Sequence, residues 1–81
     1  MEPIMAIKVN GRIANAPLVQ DILTRYGCNI KTRIGFHEAT QDNCAMDGIL
    51  VLQLLGTSAE VSSMYEELEK LEGVIPKMIE F

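Results

Sequence analysis

Residues 49–60 read ILVLQLLGTSAE, a short apolar segment followed by a helix start. Residues 49–55 are apolar at every position except Gln53, which predicts a central strand covered on both faces. Thr57 and Glu60 have the spacing of a capping box, in which the threonine accepts from a backbone amide of the first helical turn and the glutamate reaches back to the N-cap. The segment therefore predicts a buried strand leading directly into a helix.

The C-terminal half continues with that helix and a last strand. The predicted apolar stripe consists of Val61, Met64, Tyr65, Leu68 and Leu71. The opposite, solvated side of the helix consists of Glu60, Glu66, Glu67, Glu69 and Lys70. Gly73 is expected to end the helix. The final segment GVIPKMIEF predicts a strand, and Pro76 places it at a sheet edge because proline cannot donate to a ladder.

The N-terminal half begins with a strand over residues 4–9 and a turn at Asn10-Gly11. Asn15 is the predicted N-cap of a helix, with Pro17 in the first turn, where a missing N–H costs nothing. Gly27 is expected to end this helix in the left-handed conformation. The predicted apolar stripe consists of Leu18, Val19, Ile22, Leu23 and Tyr26.

Residues 28–37 alternate in polarity, which predicts a half-buried strand. Its apolar face would carry Cys28, Ile30, Ile34 and Phe36, and its polar face Asn29, Lys31, Arg33 and His37. Cys28 is then interpreted as a small buried hydrophobe. Residues 38–48 have no period and predict a hairpin loop, longer than usual and therefore suggestive of function.

The predicted order is βαββαβ, which is the ferredoxin-like α+β fold. Residues 1–81 would form a single domain, an antiparallel four-stranded sheet with strands one and three in the centre and two helices on one face. The other face of the two-sided apolar strand would be bare in a monomer, and such a patch usually marks an interface. We therefore expect a homodimer or homotetramer.

Composition narrows the function classes. The 81 residues carry a net charge of −4, so the chain lacks the basic footprint that nucleic-acid binding needs. We expect no nucleic-acid binding by the chain itself, no membrane segment and no secretory signal. Two cysteines are too few for a disulfide framework, which favours a cytoplasmic location with reduced thiols.

The segment VQDILTRYGCNI, residues 19–30, resembles the ACT-domain pattern through Val19, Leu23, Gly27, Asn29 and Ile30. ACT domains are small-molecule sensors that bind ligands at subunit interfaces beside the loop before the first helix. The resemblance implies a ligand site that includes Asn10, Gly11, Arg12 and Asn15. Ala14 stands where the family pattern has a glycine.

The whole chain looks more closely like free-standing ACT-like proteins described as iron-only hydrogenase system regulators. Residues 25–56 (RYGCNIKTRIGFHEATQDNCAMDGILVLQLLG) and the ending GVIPKMIEF carry this resemblance. It implies a small regulatory module rather than an enzyme, with no cofactor and no DNA-binding domain of its own. Its partners would be itself and a small-molecule effector or a protein.

The chain also resembles the C-terminal domain of nickel-responsive repressors through Asp42-Asn43-Cys44. The repressor's histidines precede this cysteine by six and eight residues, where the chain has Glu38 and Phe36, with His37 between them. Thiolate and imidazole ligands suit nickel or zinc, so a metal sensor using His37 and Cys44 is the alternative function. The simpler interpretations are a solvated histidine and a free loop cysteine.

Two further hypotheses concern small groups of residues. Arg12, Lys31 and Arg33 could hold an anionic ligand such as a carboxylate or phosphate, or they could be solvated surface charges. Cys44 with His37 as its base would be the arrangement of a small cysteine enzyme, although no local motif supports one.

Overall fold

A computed structural model describes residues 3–39 and 44–80, with side chains for residues 3–36 and 48–80. The elements are β1 (Ile4–Val9), α1 (Ala16–Arg25), β2 (Ile30–Ala39), β3 (Cys44–Leu54), α2 (Ser58–Glu69) and β4 (Val74–Ile79). A short 3₁₀ helix, Gly27–Asn29, joins α1 to β2. The order βαββαβ is the predicted one.

The four strands form one sheet in the order β2-β3-β1-β4, and every neighbouring pair is antiparallel. The central positions of β1 and β3 are confirmed. Pro76 lies opposite Ile7 on the edge strand β4, where its missing N–H removes no bond to a further strand.

The core lies between the helices and one face of the sheet. Leu52, Leu54 and Met5 are fully buried on the strands, and Met64 and Leu68 are fully buried on α2. The other buried apolar residues are Ile7, Val19, Ile22, Leu23, Val61 and Val74. Both helices therefore pack their apolar stripes onto the same sheet face.

The predicted N-caps are both present. The Asn15 side chain accepts from the backbone N–H of Leu18 at 3.3 Å. Thr57 Oγ1 accepts from the Glu60 N–H at 3.1 Å, and a Glu60 carboxylate oxygen accepts from the Thr57 N–H at 3.0 Å. Each contact satisfies a backbone donor that the helix itself leaves unpaired.

The predicted end of α1 is wrong in detail. Gly27 does not take the left-handed conformation, and it opens the 3₁₀ helix instead. Among the described glycines, only Gly56 and Gly73 have positive φ, and Gly73 follows α2 as predicted. Leu18, assigned to the buried stripe, is 45% exposed.

Strand β2 departs from the predicted alternation because it contains a bulge. Ile30 pairs with Leu54 and Thr32 pairs with Gln53, so Lys31 is an extra residue on β2. An extra residue moves every later side chain to the opposite face. Ile30 packs against the core, whereas Ile34 and Phe36 point away from the helices.

Two other predictions in this region are also wrong. Cys28 precedes β2, in the 3₁₀ helix, and it is exposed rather than buried. The predicted loop over 38–48 is largely strand, since β2 continues to Ala39 and β3 begins at Cys44, with these two residues paired. Residues 40–43 of the predicted loop lie outside the described residues.

Within the described part of the chain, no helix has the length and apolarity needed to cross a membrane.

Candidate functional site

The loop before α1 is held by the main chain and side chain of Asn10. Its carbonyl oxygen accepts from the N–H groups of Ile13 at 3.2 Å and Ala14 at 2.8 Å, and its own N–H donates to the Gly73 carbonyl at 2.8 Å. Its side-chain oxygen accepts from the Arg12 N–H at 3.1 Å. Asn10 therefore shapes the loop and ties it to the turn before β4.

The other predicted ligand residues of this loop differ in how available they are. The Asn15 side-chain oxygen is occupied by the α1 cap, and Gly11 is half-buried. The Arg12 side chain is exposed. Of the four residues, Arg12 thus offers the most accessible side chain for an anion.

Arg33 lies on the helix side of β2, opposite Leu52, because of the bulge at Lys31. Its guanidinium donates to the side-chain oxygen of Gln20 on α1 at 3.2 Å. Among the residues whose side chains are described, Arg33 has no carboxylate partner. The structure thus joins Arg33 to the flank of α1, and its described hydrogen bond does not reach the loop at Asn10.

A cleft of about 350 Å³ lies between α1 and the β2–β3 pair. Its helix wall is formed by Ala16, Val19 and Gln20, and its sheet wall includes Gly35, Gly48 and Leu50. Val9 also contributes to the described lining, as do Phe36 and Ile49, whose side chains lie on the opposite face of the sheet. The volume is within the range of roughly 300–1,000 Å³ typical of small-molecule sites.

The cleft exists because small residues occupy facing positions. Gly35 pairs with Leu50 on the helix side of the sheet, and Gly48 lies two residues before Leu50 on the same side of β3. Ala16 is the first residue of α1 above them. These three positions carry at most a methyl group, so α1 and the sheet leave space between them.

The predicted metal ligands His37 and Cys44 have side chains outside the described part of the structure. Their backbones lie on β2 and β3, where His37 pairs with Gly48 and Cys44 with Ala39. Among the residues whose side chains are described, no three histidine, cysteine or acidic residues form a metal-binding group.

The face of the sheet opposite the helices, here called the open sheet face, is largely apolar. Phe36 is 58% exposed and Ile75 is 55% exposed, although both belong to strands. Among the residues whose side chains are described, the strand register places on this face Ile4, Ala6, Lys8, Thr32, Ile34, Phe36, Ile49, Val51, Gln53, Ile75, Lys77 and Ile79. The bare face predicted for a single chain is present.

A buried amide connects the 3₁₀ helix to α2. The Asn29 side-chain nitrogen donates to the Leu55 carbonyl at 3.1 Å and to a Glu60 carboxylate oxygen at 3.0 Å. The hydrogen bond from Asn29 to Glu60, together with the bonds from Thr57, lowers the pKa of Glu60 from its ordinary 4.5 to about 2. Position 56, beside the Asn29 amide, requires a glycine. The φ of Gly56 is +112°, and a Cβ there would overlap the Asn29 amide.

A second polar cluster connects α1 to α2. The Tyr26 hydroxyl donates to the Glu67 carboxylate, which also pairs with Arg25 at 2.8 Å. The hydrogen bond from Tyr26 and then the bond from Arg25 lower the pKa of Glu67, and the same hydrogen bond raises the pKa of Tyr26. Glu67 was predicted to lie on a purely solvated side of α2, and that prediction is wrong.

Sequence reasoning missed Gln20, Gly35 and Gly48 as residues of a cleft. The available signal was the pair of glycines inside predicted or adjacent strand segments, because glycine in a strand often marks a close approach. Their positions on one face, under Ala16, became visible only with the strand register.

Comparisons with known proteins place the fold. A search of solved structures matches an uncharacterized protein from Thermotoga maritima with a TM-score of 0.81 and 20% identity, covering 96% of this chain and 92% of that one. The chain has an ACT-like, ferredoxin-like fold. No protein-family model matches the sequence, and no curated protein does.

Two other solved structures share this fold at lower similarity. A formyltetrahydrofolate deformylase from Pseudomonas putida KT2440 gives a TM-score of 0.60 and 10% identity over 100% of this chain, which spans 29% of the deformylase. CPII from Thiomonas intermedia K12, a nitrogen regulatory PII-like protein in its apo form, gives 0.54 and 17% identity, covering 96% and 88% of the two chains.

Proposed function

We propose that the chain is a small homo-oligomeric regulatory module that senses a ligand. The observation that carries this proposal is the open sheet face, which exposes an apolar surface on a strand layer that a single chain leaves uncovered. The shared fold with a nitrogen regulatory PII-like protein supports the regulatory part.

The occupant best suited to the open sheet face is a second copy of the chain. Lys8 and Lys77 lie in the β1–β4 half, whereas the described side chains that the register places on the β2–β3 half of this face carry no charge that stacking would bury. Thr32 and Gln53 are the polar residues that the register places in this half, and they bond to each other: the Thr32 hydroxyl donates to the Gln53 side-chain oxygen at 3.0 Å. Burying ~500 Å² of apolar surface per chain would contribute on the order of 12 kcal/mol before association costs.

A regulatory rather than catalytic role agrees with the chemistry of the described residues. The pKa values clearly displaced in the described chain belong to Tyr26, Glu60, Tyr65 and Glu67. Tyr26 and Glu67 are hydrogen-bonded to each other, and Glu60 accepts a hydrogen bond from Asn29. These three groups therefore connect the helices to the rest of the fold. Tyr65 lies along α2 beside Glu69, and its pKa is raised first by burial.

Sedimentation analysis over a dilution series tests the oligomer, and we expect at least a dimer at micromolar concentration. A monomer at every concentration would overturn the proposal. For the regulatory role, the gene is deleted in its native host and transcripts are profiled. Changes restored by the wild-type gene are expected, and an unchanged profile under the conditions of expression would contradict that role.

The finer proposal is that the regulated system contains an iron-only hydrogenase, and its support is the sequence resemblance of residues 25–56 and 73–81. The same deletion strain tests it through the transcript level and activity of the hydrogenase. If the deletion changes the transcripts of other genes only, the chain regulates a different system and the hydrogenase proposal is wrong.

The alternative function is a nickel or zinc sensor using His37 and Cys44. The observation in its favour is that both residues lie in the same β2–β3 hairpin, on neighbouring strands. Titration of the apo-protein with either metal, followed by thiolate charge-transfer absorption, tests it. Binding at micromolar or lower concentration that both His37→Ala and Cys44→Ser abolish would favour the metal sensor.

A further inference from the structure

We propose that the cleft between α1 and the β2–β3 pair binds a small molecule with an apolar body and one carboxylate group, with Arg33 and Gln20 holding the carboxylate at the rim. This proposal rests on the sensing role proposed above and names the class of ligand. It places the site on the flank of α1 rather than in the loop around Asn10.

Gly35 is the first reason to regard the cleft as a binding site. Its backbone does not have the positive φ that would call for glycine. Among the described residues, a Cβ at this position would meet Leu50 Cδ2 at 3.3 Å, a close contact with the movable end of a side chain. Glycine inside a strand weakens the strand, so its presence is explained by what it leaves open.

The walls of the cleft select an apolar body. Val19 forms part of the helix wall and Leu50 part of the sheet wall, and among the described side chains none with a formal charge contributes to the lining. Gln20 is the polar side chain of the described lining. A site of this composition binds chiefly by burying apolar surface and orients its ligand through a few polar groups.

The rim selects a carboxylate. Arg33 and Gly35 lie two residues apart on the same side of β2, so the guanidinium stands beside the cleft. Arg33 is exposed and donates to the Gln20 side-chain oxygen at 3.2 Å, and no carboxylate among the described side chains pairs with it. The Gln20 side-chain nitrogen is then left to donate to a ligand, and guanidinium and amide donors together match a carboxylate.

The test is a titration of the isotope-labelled protein with 4-methylpentanoate or 3-phenylpropanoate, followed by backbone amide shifts. The matched ligands are the corresponding neutral amides. We expect shifts centred on Val19, Gln20, Gly35 and Leu50, with a dissociation constant of roughly 1 mM or below for the carboxylates. The amides should bind about tenfold more weakly, because they lose the charge-assisted bond to Arg33.

Variants identify the residues responsible. Gly35→Val should abolish binding because its side chain would fill the cleft from the sheet. If Gly35→Val does not fold, Ala16→Leu should abolish binding by filling the cleft from the exposed start of α1. Arg33→Gln should reduce carboxylate affinity about tenfold and leave amide affinity unchanged. Arg12→Gln is the matched control, since it removes an exposed arginine from the loop and should leave both affinities unchanged.

Several results would overturn the proposal. These are an absence of cleft shifts with both carboxylates, equal affinity for carboxylate and amide, or a loss of binding in Arg12→Gln but not in Arg33→Gln. Failure of the oligomer is a separate result, because sedimentation measures it without ligand. A monomer that binds the carboxylates in the cleft would keep this inference and overturn only the oligomer.

Discussion

Truncation of Phe36 to alanine is the most direct perturbation of the open sheet face. Phe36 lies in the β2–β3 half of that face, opposite Ile49, and contributes no buried surface to the core cluster. Its removal should therefore leave the fold of each chain intact. Any loss of association in Phe36→Ala would then report on the interface alone.

The magnitude follows from the exposure of the ring. Phe36 is 58% exposed, so a partner would cover roughly 110 Å² of it, taking about 200 Å² for a whole phenylalanine. At about 25 cal/mol per Å², this burial contributes about 3 kcal/mol per copy, of which alanine would retain about a third. A symmetric dimer loses the contact twice, so the free energy of association falls by about 4 kcal/mol and the dissociation constant rises about a thousandfold.

Sedimentation equilibrium of wild type and variant over the same dilution series measures this change. Leu18→Ala is the matched control, because Leu18 is 45% exposed but lies on α1, away from the open sheet face. We expect Leu18→Ala to associate as wild type does. The reasoning is refuted if Phe36→Ala associates within about threefold of wild type, or if Leu18→Ala weakens association as much.

Three further predictions concern stability and binding. Leu68→Ala removes a fully buried side chain of α2 and should lower the free energy of unfolding by ~2–4 kcal/mol, against under ~0.5 kcal/mol for the exposed Glu66→Ala; equal melting temperatures would contradict the observed helix packing. Because folding lowers the pKa of Glu60 from 4.5 to about 2, its stabilising effect is complete above pH 4.5 and is lost as the pH falls toward 2. The melting-temperature difference between wild type and Glu60→Gln should shrink over that range, and a constant difference would count against the Asn29–Glu60 contact. The purified chain should not shift duplex DNA in a gel at ~150 mM salt, given seven basic and eleven acidic residues; a salt-sensitive, sequence-dependent shift would show that it binds DNA unaided.

The candidate sites were only partly predictable. Asn10, Gly11, Arg12 and Asn15 do lie together before α1, but the structure uses the side chains of Asn10 and Asn15 for the turn and the helix cap. Arg33 was predicted as a residue of a polar strand face, and it instead bonds to α1 beside a cleft that no local pattern indicated.

Local sequence patterns were sufficient to predict the order of elements, the two N-caps, the central position of β3 and the edge position of Pro76. Each of these depends on interactions within a few residues or on a property of one residue type, such as the missing N–H of proline. The apolar periods of α2 were likewise sufficient to identify Val61, Met64 and Leu68 as buried.

The face that each part of β2 presents depends on its pairing with β3 in the folded chain. The alternation of residues 28–37 is real, but the bulge at Lys31 depends on pairing with Gln53 and Leu54, which lie more than twenty positions away. That one extra residue moves Phe36 to the open sheet face and Arg33 to the helix side. The proposed interface and the proposed ligand cleft both result from this register, because side-chain direction in a strand is set by its partner strand as well as by its own sequence.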